Sequence, residues 1–286
     1  MPEERKKLTV PELKARKQAG EKIVMASIPD YPMAVWAERA GIDIAAVGDS
    51  LGMISYGYPN TLPVTVDQMI EHTKAVRRGA PNTMCLVAMP YGSYSTVAVG
   101  VTNALRFMKE AGADVVKMQG GRDKFEIIKA IADSGVPVMS HVGMCPHFVH
   151  HYGGFKAQGR TAEDAMKIID DALAIQEGGA VGFEIEAVPA AVGRAVDSAV
   201  DIFTFGIGAG PAACGQLLLA ADLLGSFDQF KPKFTKRYAQ LAQVAVAALE
   251  QYAREVREGT FPDDGHSYGM KAEEEAKLEE MMADRP

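Results

Sequence analysis

The stretch VGVTNALRFMKEAGADVVKMQGGRDKFEIIKAIADSGVPVMSHVG, residues 99–143, decides the fold. It reads as a helix ending in glycine (99–112), an apolar strand (113–121), a second helix ending in glycine (124–135) and a second apolar strand (136–143). The helices are amphipathic. The strands are short and apolar throughout, as strands covered on both faces must be. Repetition of this helix–glycine–strand unit implies a parallel sheet, because each helix carries the chain back to start the next strand.

The unit recurs on both sides. Upstream, KIVMAS (22–27), DIAAVGDS (43–50) and TMCLVAMP (83–90) read as strands, with helices at 34–41 and 66–80 between them. Downstream come a helix at 162–179, the strand AVGFEIEAVP (180–189), a short helix near 189–197 and the strand VDIFTFGIGAG (200–210). The eighth strand is the faintest and is expected near LLLAADLLG (217–225), before a long helix at about 233–257. Thr9, Pro11 and Glu12 spell the capping box of a short N-terminal helix (about 9–18). The acidic tail 271–286 has helical charge spacing and reads as a solvated helix or a frayed end. Seven or eight units predict an α/β fold, a (β/α)₈ TIM barrel forming one domain over 1–286. The rival is a doubly wound open sheet, which needs fewer units; no GxGxxG follows an early strand to support it.

Bulk composition agrees. The chain has 286 residues, 48% hydrophobic and 23% charged, enough for one large core. A net charge of −7 gives no electrostatic footprint for nucleic acid or an anionic membrane, so neither is expected as a partner. Cys85, Cys145 and Cys214 are odd in number and form no CxxC pair, which argues against disulfides and structural zinc. With no apolar leader and no run of eighteen apolar residues, the expected location is the cytoplasm.

Active sites of such barrels lie at the C-terminal ends of the strands. Here those ends carry Asp49 and Ser50, then Lys117 and Gln119, Ser140 and His141, and Glu184 and Glu186. Residues two apart share a strand face, so these groups converge on one polar centre. GIGAG (206–210) either cradles an anion with backbone N–H groups or lets a strand pack closely.

VGDSLGM (47–53), TLPVTVDQM (61–69), HTKAVRRGAPN (72–82), GGFKAQGR (153–160), EAVP (186–189), FGIGAG (205–210), KPKF (231–234) and FPDDGHSY (261–268) resemble the ketopantoate hydroxymethyltransferase family. The resemblance spans about Leu8 to Tyr268. It implies a barrel of the phosphoenolpyruvate/pyruvate superfamily type and a homodecamer of two stacked pentamers. It implies transfer of a hydroxymethyl group from the co-substrate 5,10-methylenetetrahydrofolate to a small 2-oxo acid, 3-methyl-2-oxobutanoate, for pantothenate biosynthesis. Mg²⁺ would bind the 2-oxo acid and stabilise its enolate. Carried over by position, Asp49 is the metal-ligand acid, Asp49, Ser50 and Lys117 bind substrate, Lys117 also serves in catalysis, and Glu186 moves the proton. His141 lines the same pocket as a further catalytic group.

Three departures bear on the metal. Ala88 stands where the family has a second metal-linked acid, Gln119 where it has a glutamate, and Pro29 where it has a tyrosine. Asp49 with a Gln119 carbonyl makes a weaker Mg²⁺ site. Glu184 either returns a carboxylate to the metal or pairs with an interior cation. His147, His150 and His151 have i, i+3, i+4 spacing, which would suit a softer transition metal if they share a helical face. Cys145 and Cys214 read as small buried hydrophobes, with a catalytic thiol the alternative. Two other functions stay open. One is a different enolate reaction on a 2-oxo acid (aldol or retro-aldol lyase, decarboxylase or C–C hydrolase). The other is a non-catalytic binding or assembly subunit.

Overall fold

The computed structural model describes residues 6–283 and Arg285. Eight parallel strands close into a barrel in sequential order. They are β1 (Ile23–Ser27), β2 (Ile44–Val47), β3 (Met84–Ala88), β4 (Val115–Lys117), β5 (Val138–Gly143), β6 (Gly182–Glu186), β7 (Phe203–Ile207) and β8 (Gly215–Leu219). The (β/α)₈ expectation therefore holds. Between strands run α2 (Tyr31–Ala40), α3 (Leu51–Ile54), α4 (Val66–Gly79), α5 (Val97–Ala111), α6 (Phe125–Asp133), α7 (Val149–Tyr152), α8 (Ala162–Glu177) and α9 (Ala190–Ala199). The first helix, α1 (Val10–Gln18), carries the expected capping box: Thr9 and Glu12 satisfy each other's backbone N–H groups. Gly112 ends α5 in the left-handed conformation at φ +69°.

Two apolar regions stabilise this architecture. One lies between strands and helices and includes Val47, Val87, Phe107, Val116, Ile128 and Phe183. The other fills the barrel interior with Ile23, Met25, Ile44, Leu86, Met139 and Phe205, and with Leu13 from α1. Lys17 of α1 donates to the carbonyls of Val200 and Ile202, and Arg16 pairs with Asp43 at 2.9 Å. These partners precede β7 and β2, so α1 covers the N-terminal face and leaves the C-terminal face to chemistry.

Two boundaries differ from the sequence reading. The eighth strand starts at Gly215, and Ala220–Leu224 is a helix, α10, rather than strand. LLLAADLLG is one apolar run, and periodicity cannot mark where a buried strand gives way to a buried helix. The long helix α11 is Leu241–Glu258, starting eight residues later than expected. Residues 227–240 instead form a loop that contains Pro232 and a turn hydrogen bond from the Thr235 N–H to the Pro232 carbonyl. The chain divides into two compact units, one ending at Ala239 and holding the barrel, the other starting at Gln240. The second contains α11 and α12 (Ala272–Ala283); the acidic tail is thus helical and exposed, with Asp284 and Pro286 outside the described residues. No described helix is long and apolar enough to cross a membrane.

Candidate active site

A cavity of about 520 Å³ opens at the C-terminal ends of the strands. Its wall includes Asp49, Ser50, Lys117, His141, Glu184 and Glu186. Strand register brings the last four together. His141 lies opposite Glu184 and Gly143 opposite Glu186 across the β5–β6 ladder. Lys117 ends β4 beside them, and its Nζ meets Glu184 Oε2 at 2.9 Å. His141 stands between the carboxylates, with Nδ1 3.2 Å from Glu184 Oε2 and Nε2 3.3 Å from Glu186 Oε2. Neither contact has good hydrogen-bond direction, so both ring nitrogens remain without a well-aligned partner. Glu184, left open between two roles by sequence, is both a cavity wall residue and the partner of Lys117.

The charges in this array hold one another in place. Burial opposes protonation of Lys117, but Glu184 and Asp49 outweigh it and raise its pKa. Burial also opposes ionisation of Glu184, yet Lys117 and His141 hold its carboxyl below the usual range. For His141, burial and Lys117 favour the neutral ring, while Glu184 and Glu186 turn the balance toward the cation. Ser27 and Ser50 face each other with Oγ atoms 3.4 Å apart. Gly48 makes this possible, because a Cβ there would stand 2.9 Å from each hydroxyl. Gly143, at φ +86°, packs against the carbonyl of Glu186, 2.4 Å from where a Cβ would be.

Asp49 is engaged differently from the others. His147 Nε2 lies 2.6 Å from its Oδ2, and His147 Nδ1 lies 2.5 Å from the Tyr94 hydroxyl. The Gln119 backbone N–H donates to that hydroxyl oxygen, and the His147 N–H donates to Gln119 Oε1. A Tyr94 proton directed at Nδ1 leaves Nε2–H to donate to Asp49, so every member of the buried network is satisfied. Burial opposes ionisation of Asp49, but His147 and Lys117 keep its pKa below the ordinary value.

This donor set does not fit Mg²⁺. Ala88 offers a methyl group, Gln119 Oε1 already accepts a hydrogen bond, and Glu184 is held by Lys117. One Asp49 oxygen is taken by His147. Among the described residues no group of three or more His, Cys, Asp or Glu side chains is arranged to hold a metal. A hard dication wants several free oxygens, and here Asp49 Oδ2, Gln119 Oε1 and Glu184 Oε2 are already engaged by protein partners. The three histidines do not gather either. His147 is buried on Asp49, whereas His150 and His151 are exposed on α7. Burial pushes the Cys145 thiol far up, and its Sγ donates to the His141 carbonyl; Cys214 is bonded to Thr204. Neither is a prepared nucleophile. In GIGAG, Gly208 packs against the Phe234 ring and Gly210 against Ala190, which is close packing.

Sequence reading missed Tyr94 and Asp222. Tyr94 gave no signal beyond a buried aromatic. Asp222 is the one acid within LLLAADLLG, and a lone acid in an apolar run is a usable signal. It lies in α10, is 5% exposed and lines the cavity.

A closed parallel barrel with a buried charged array at its C-terminal mouth defines an α/β-barrel enzyme. Residues 7–264 match the ketopantoate hydroxymethyltransferase family, and this chain belongs to it. It is 55% identical to 3-methyl-2-oxobutanoate hydroxymethyltransferase 1 of Methylibium petroleiphilum, over 94% of this chain and 92% of that one. It is 48% identical to the 3-methyl-2-oxobutanoate hydroxymethyltransferase of Moorella thermoacetica, over 93% and 99%. Among solved structures, phosphonopyruvate hydrolase matches with a TM-score of 0.60 at 14% identity, over 96% of this chain and 97% of that one. 2,3-Dimethylmalate lyase, of the phosphoenolpyruvate mutase/isocitrate lyase superfamily, gives 0.59 at 12%, over 98% and 99%. These last two speak to the fold alone. The chain is therefore an enzyme of the one-carbon-transferring class.

Proposed function

We propose that this chain transfers a hydroxymethyl group from 5,10-methylenetetrahydrofolate to 3-methyl-2-oxobutanoate, giving 2-dehydropantoate. The observation that carries this reading is the buried Lys117–Glu184–His141–Glu186 array in a member of this family. The C3 proton of a 2-oxo acid is acidic only because its carbanion spreads onto the keto oxygen. Lys117 supplies a fixed positive charge for the carboxylate and for that oxygen, in surroundings where water does not screen it. Glu184 fixes the position of Nζ. Ser27 and Ser50 offer hydroxyl donors to the substrate carboxylate.

Glu186 is the base. Its carboxylate reaches the cavity, and His141 stands beside it, Nε2 3.3 Å from Oε2. The C3–H bond breaks, its proton goes to Glu186 and its electron pair becomes the enolate. Both carbon–nitrogen bonds that hold the methylene carbon to folate then break, one replaced by the bond to C3 and the other by the oxygen of water. The proton held by Glu186 and one water proton go to the two folate nitrogens, and the second water proton stays on the new hydroxyl. One methylene-folate and one water are consumed for each tetrahydrofolate released. No step is assigned to magnesium. Asp49 serves instead as the anchor of the His147–Tyr94 network at the floor of the substrate site. The reading includes assembly as a homodecamer, supported by exposed apolar side chains on α11, Val244, Leu249 and Tyr252 among them.

The test is product formation from the two substrates after dialysis against EDTA, with and without added Mg²⁺. 2-Dehydropantoate should form in both conditions. Exchange of the C3 proton with D₂O and no 2-dehydropantoate in either condition would instead mark a different enolate reaction. Activity that appears only with Mg²⁺ would overturn the account of the metal.

A further inference from the structure

The cavity is larger than a five-carbon acid needs, and its size falls in the range that encloses a drug-sized ligand. The array that would receive the 2-oxo acid belongs to β4, β5 and β6. Across the mouth, beyond β8, the wall changes character. Phe227, Phe230 and Phe234 line it together with Asp222. Asp222 is buried, and among the described residues its carboxylate has no hydrogen bond and no ion pair. Arg237 acts on it only from beyond ion-pair distance, its NH2 being bonded to the Phe227 carbonyl. Burial accordingly raises the pKa of Asp222.

A buried carboxylate with no partner is costly, and the cost is relieved when a ligand brings donors to it. Two parallel N–H groups match a carboxylate best, as a fork against a fork. Flat rings stack well on phenylalanines. A planar heterocycle with an N–H and an amino group on one edge meets both demands. The 2-amino-4-oxopyrimidine edge of a reduced pterin is such a group. We propose that Asp222 receives the pterin edge of the folate co-substrate, with Phe227, Phe230 and Phe234 packing on the ring. This rests on the reading of folate as the one-carbon donor. Bound this way, the pterin lies on the β8 side, and its one-carbon bridge can face the enolate held on the β4–β6 side.

The experiment uses the full chain and its Asp222→Asn and Asp222→Leu variants. Tetrahydrofolate binding is measured by calorimetry with 3-methyl-2-oxobutanoate present, and guanosine, which shares the same edge, is the comparison ligand. Both variants should lose about thirtyfold or more in tetrahydrofolate affinity, as expected for loss of hydrogen bonds from neutral donors to a buried charged carboxylate. Their thermal midpoints without ligand should equal or exceed that of the parent chain, since an unpaired buried charge has been removed. Their rates of C3–H exchange, which need no folate, should stay within about twofold, well short of the effects that follow loss of a catalytic group. Unchanged tetrahydrofolate affinity overturns the proposal. So does a midpoint that falls together with exchange, which would make Asp222 a structural residue. Tighter binding of guanosine than of tetrahydrofolate overturns it as well. If the parent chain binds no tetrahydrofolate, the folate reading itself fails; if it binds and the variants bind equally, only the Asp222 assignment fails.

Discussion

Glu186 and His141 differ in what removing them should do. Glu186 takes the C3 proton, so Glu186→Gln should slow C3–H exchange by about 10² to 10⁴, the usual worth of a general base. Loss of less than about tenfold, read by NMR in D₂O, would hand the role to another group. His141 acts through its neighbours. Its folded pKa is raised above 6.5 by Glu184 and Glu186 against burial and Lys117. Its pairing therefore stabilises the fold fully below the unfolded pKa and is lost as pH rises through the folded value. Glu184, with a lowered pKa, stays ionised throughout that window. The thermal midpoint of the parent chain relative to His141→Gln should be most favourable near pH 6 and decline toward pH 9. A gap that widens with pH would reverse the sign and refute the assignment. These residues were legible in sequence because alternate strand positions share a face: Glu184 with Glu186, at known height in a barrel. The bond between His147 and Asp49 was not, since 98 residues separate them and only the closed barrel makes them neighbours. His147 lies in a 3₁₀ turn at Pro146–Phe148, ahead of the short helix α7 that carries His150 and His151, so their spacing misled.

The β5–β6 pair shows how an element aims a side chain. Gly143 ends β5, and the next N–H, of Met144, donates to the Glu186 carbonyl at 2.9 Å. Ala187, at φ +47°, follows Glu186 and is the single non-glycine residue with positive φ among the described residues. The backbone on both sides of the base is thus held in a conformation that the two strands impose. Gly143→Ala brings two opposing effects. Stiffening the unfolded chain favours alanine by about 0.4–1 kcal/mol. Against that stand the positive φ and a Cβ 2.4 Å from the Glu186 carbonyl oxygen, a penalty of about 1–3 kcal/mol or more. The clash wins, so the variant should melt lower and also exchange the C3 proton more slowly, as Glu186 is pushed aside. A variant that melts lower but exchanges at the parent rate would show that Gly143 serves packing only. Element identities were largely readable from sequence, because helix and strand periods differ wherever each element has a polar face. They failed at β8 and α10. Leu217–Leu224 is buried or half-buried nearly throughout, and with little polar face the period carries little information. Asp222 was lost with that boundary, since its position in a helix above the rim is what turns it toward the cavity.

At the scale of the molecule, the barrel accounts for itself and α11 does not. All of the largest fully buried side chains lie at or before Phe205, and no residue of α11 is buried. Yet Val244, Val246, Leu249, Tyr252 and Val256 are all exposed on that helix, Leu249 by 66%. An eighteen-residue amphipathic helix in a protein draws most of its stability from packing its apolar face. Contiguous exposed apolar surface on a folded chain marks an interaction site. Under the homodecamer included in the proposed function, another copy of the same chain would cover it. Light scattering should accordingly give a mass near ten times that of the chain. Leu249→Glu places a charge within the apolar stripe while leaving the barrel interior untouched, so it should shift the mass to smaller species with little change in the far-UV circular dichroism of the barrel. The catalytic array is built entirely from residues 27–186 of one chain, so C3–H exchange should survive dissociation. A parent chain that runs as a monomer would remove the reason for an apolar α11. An assembly unaffected by Leu249→Glu would move the interface to another surface.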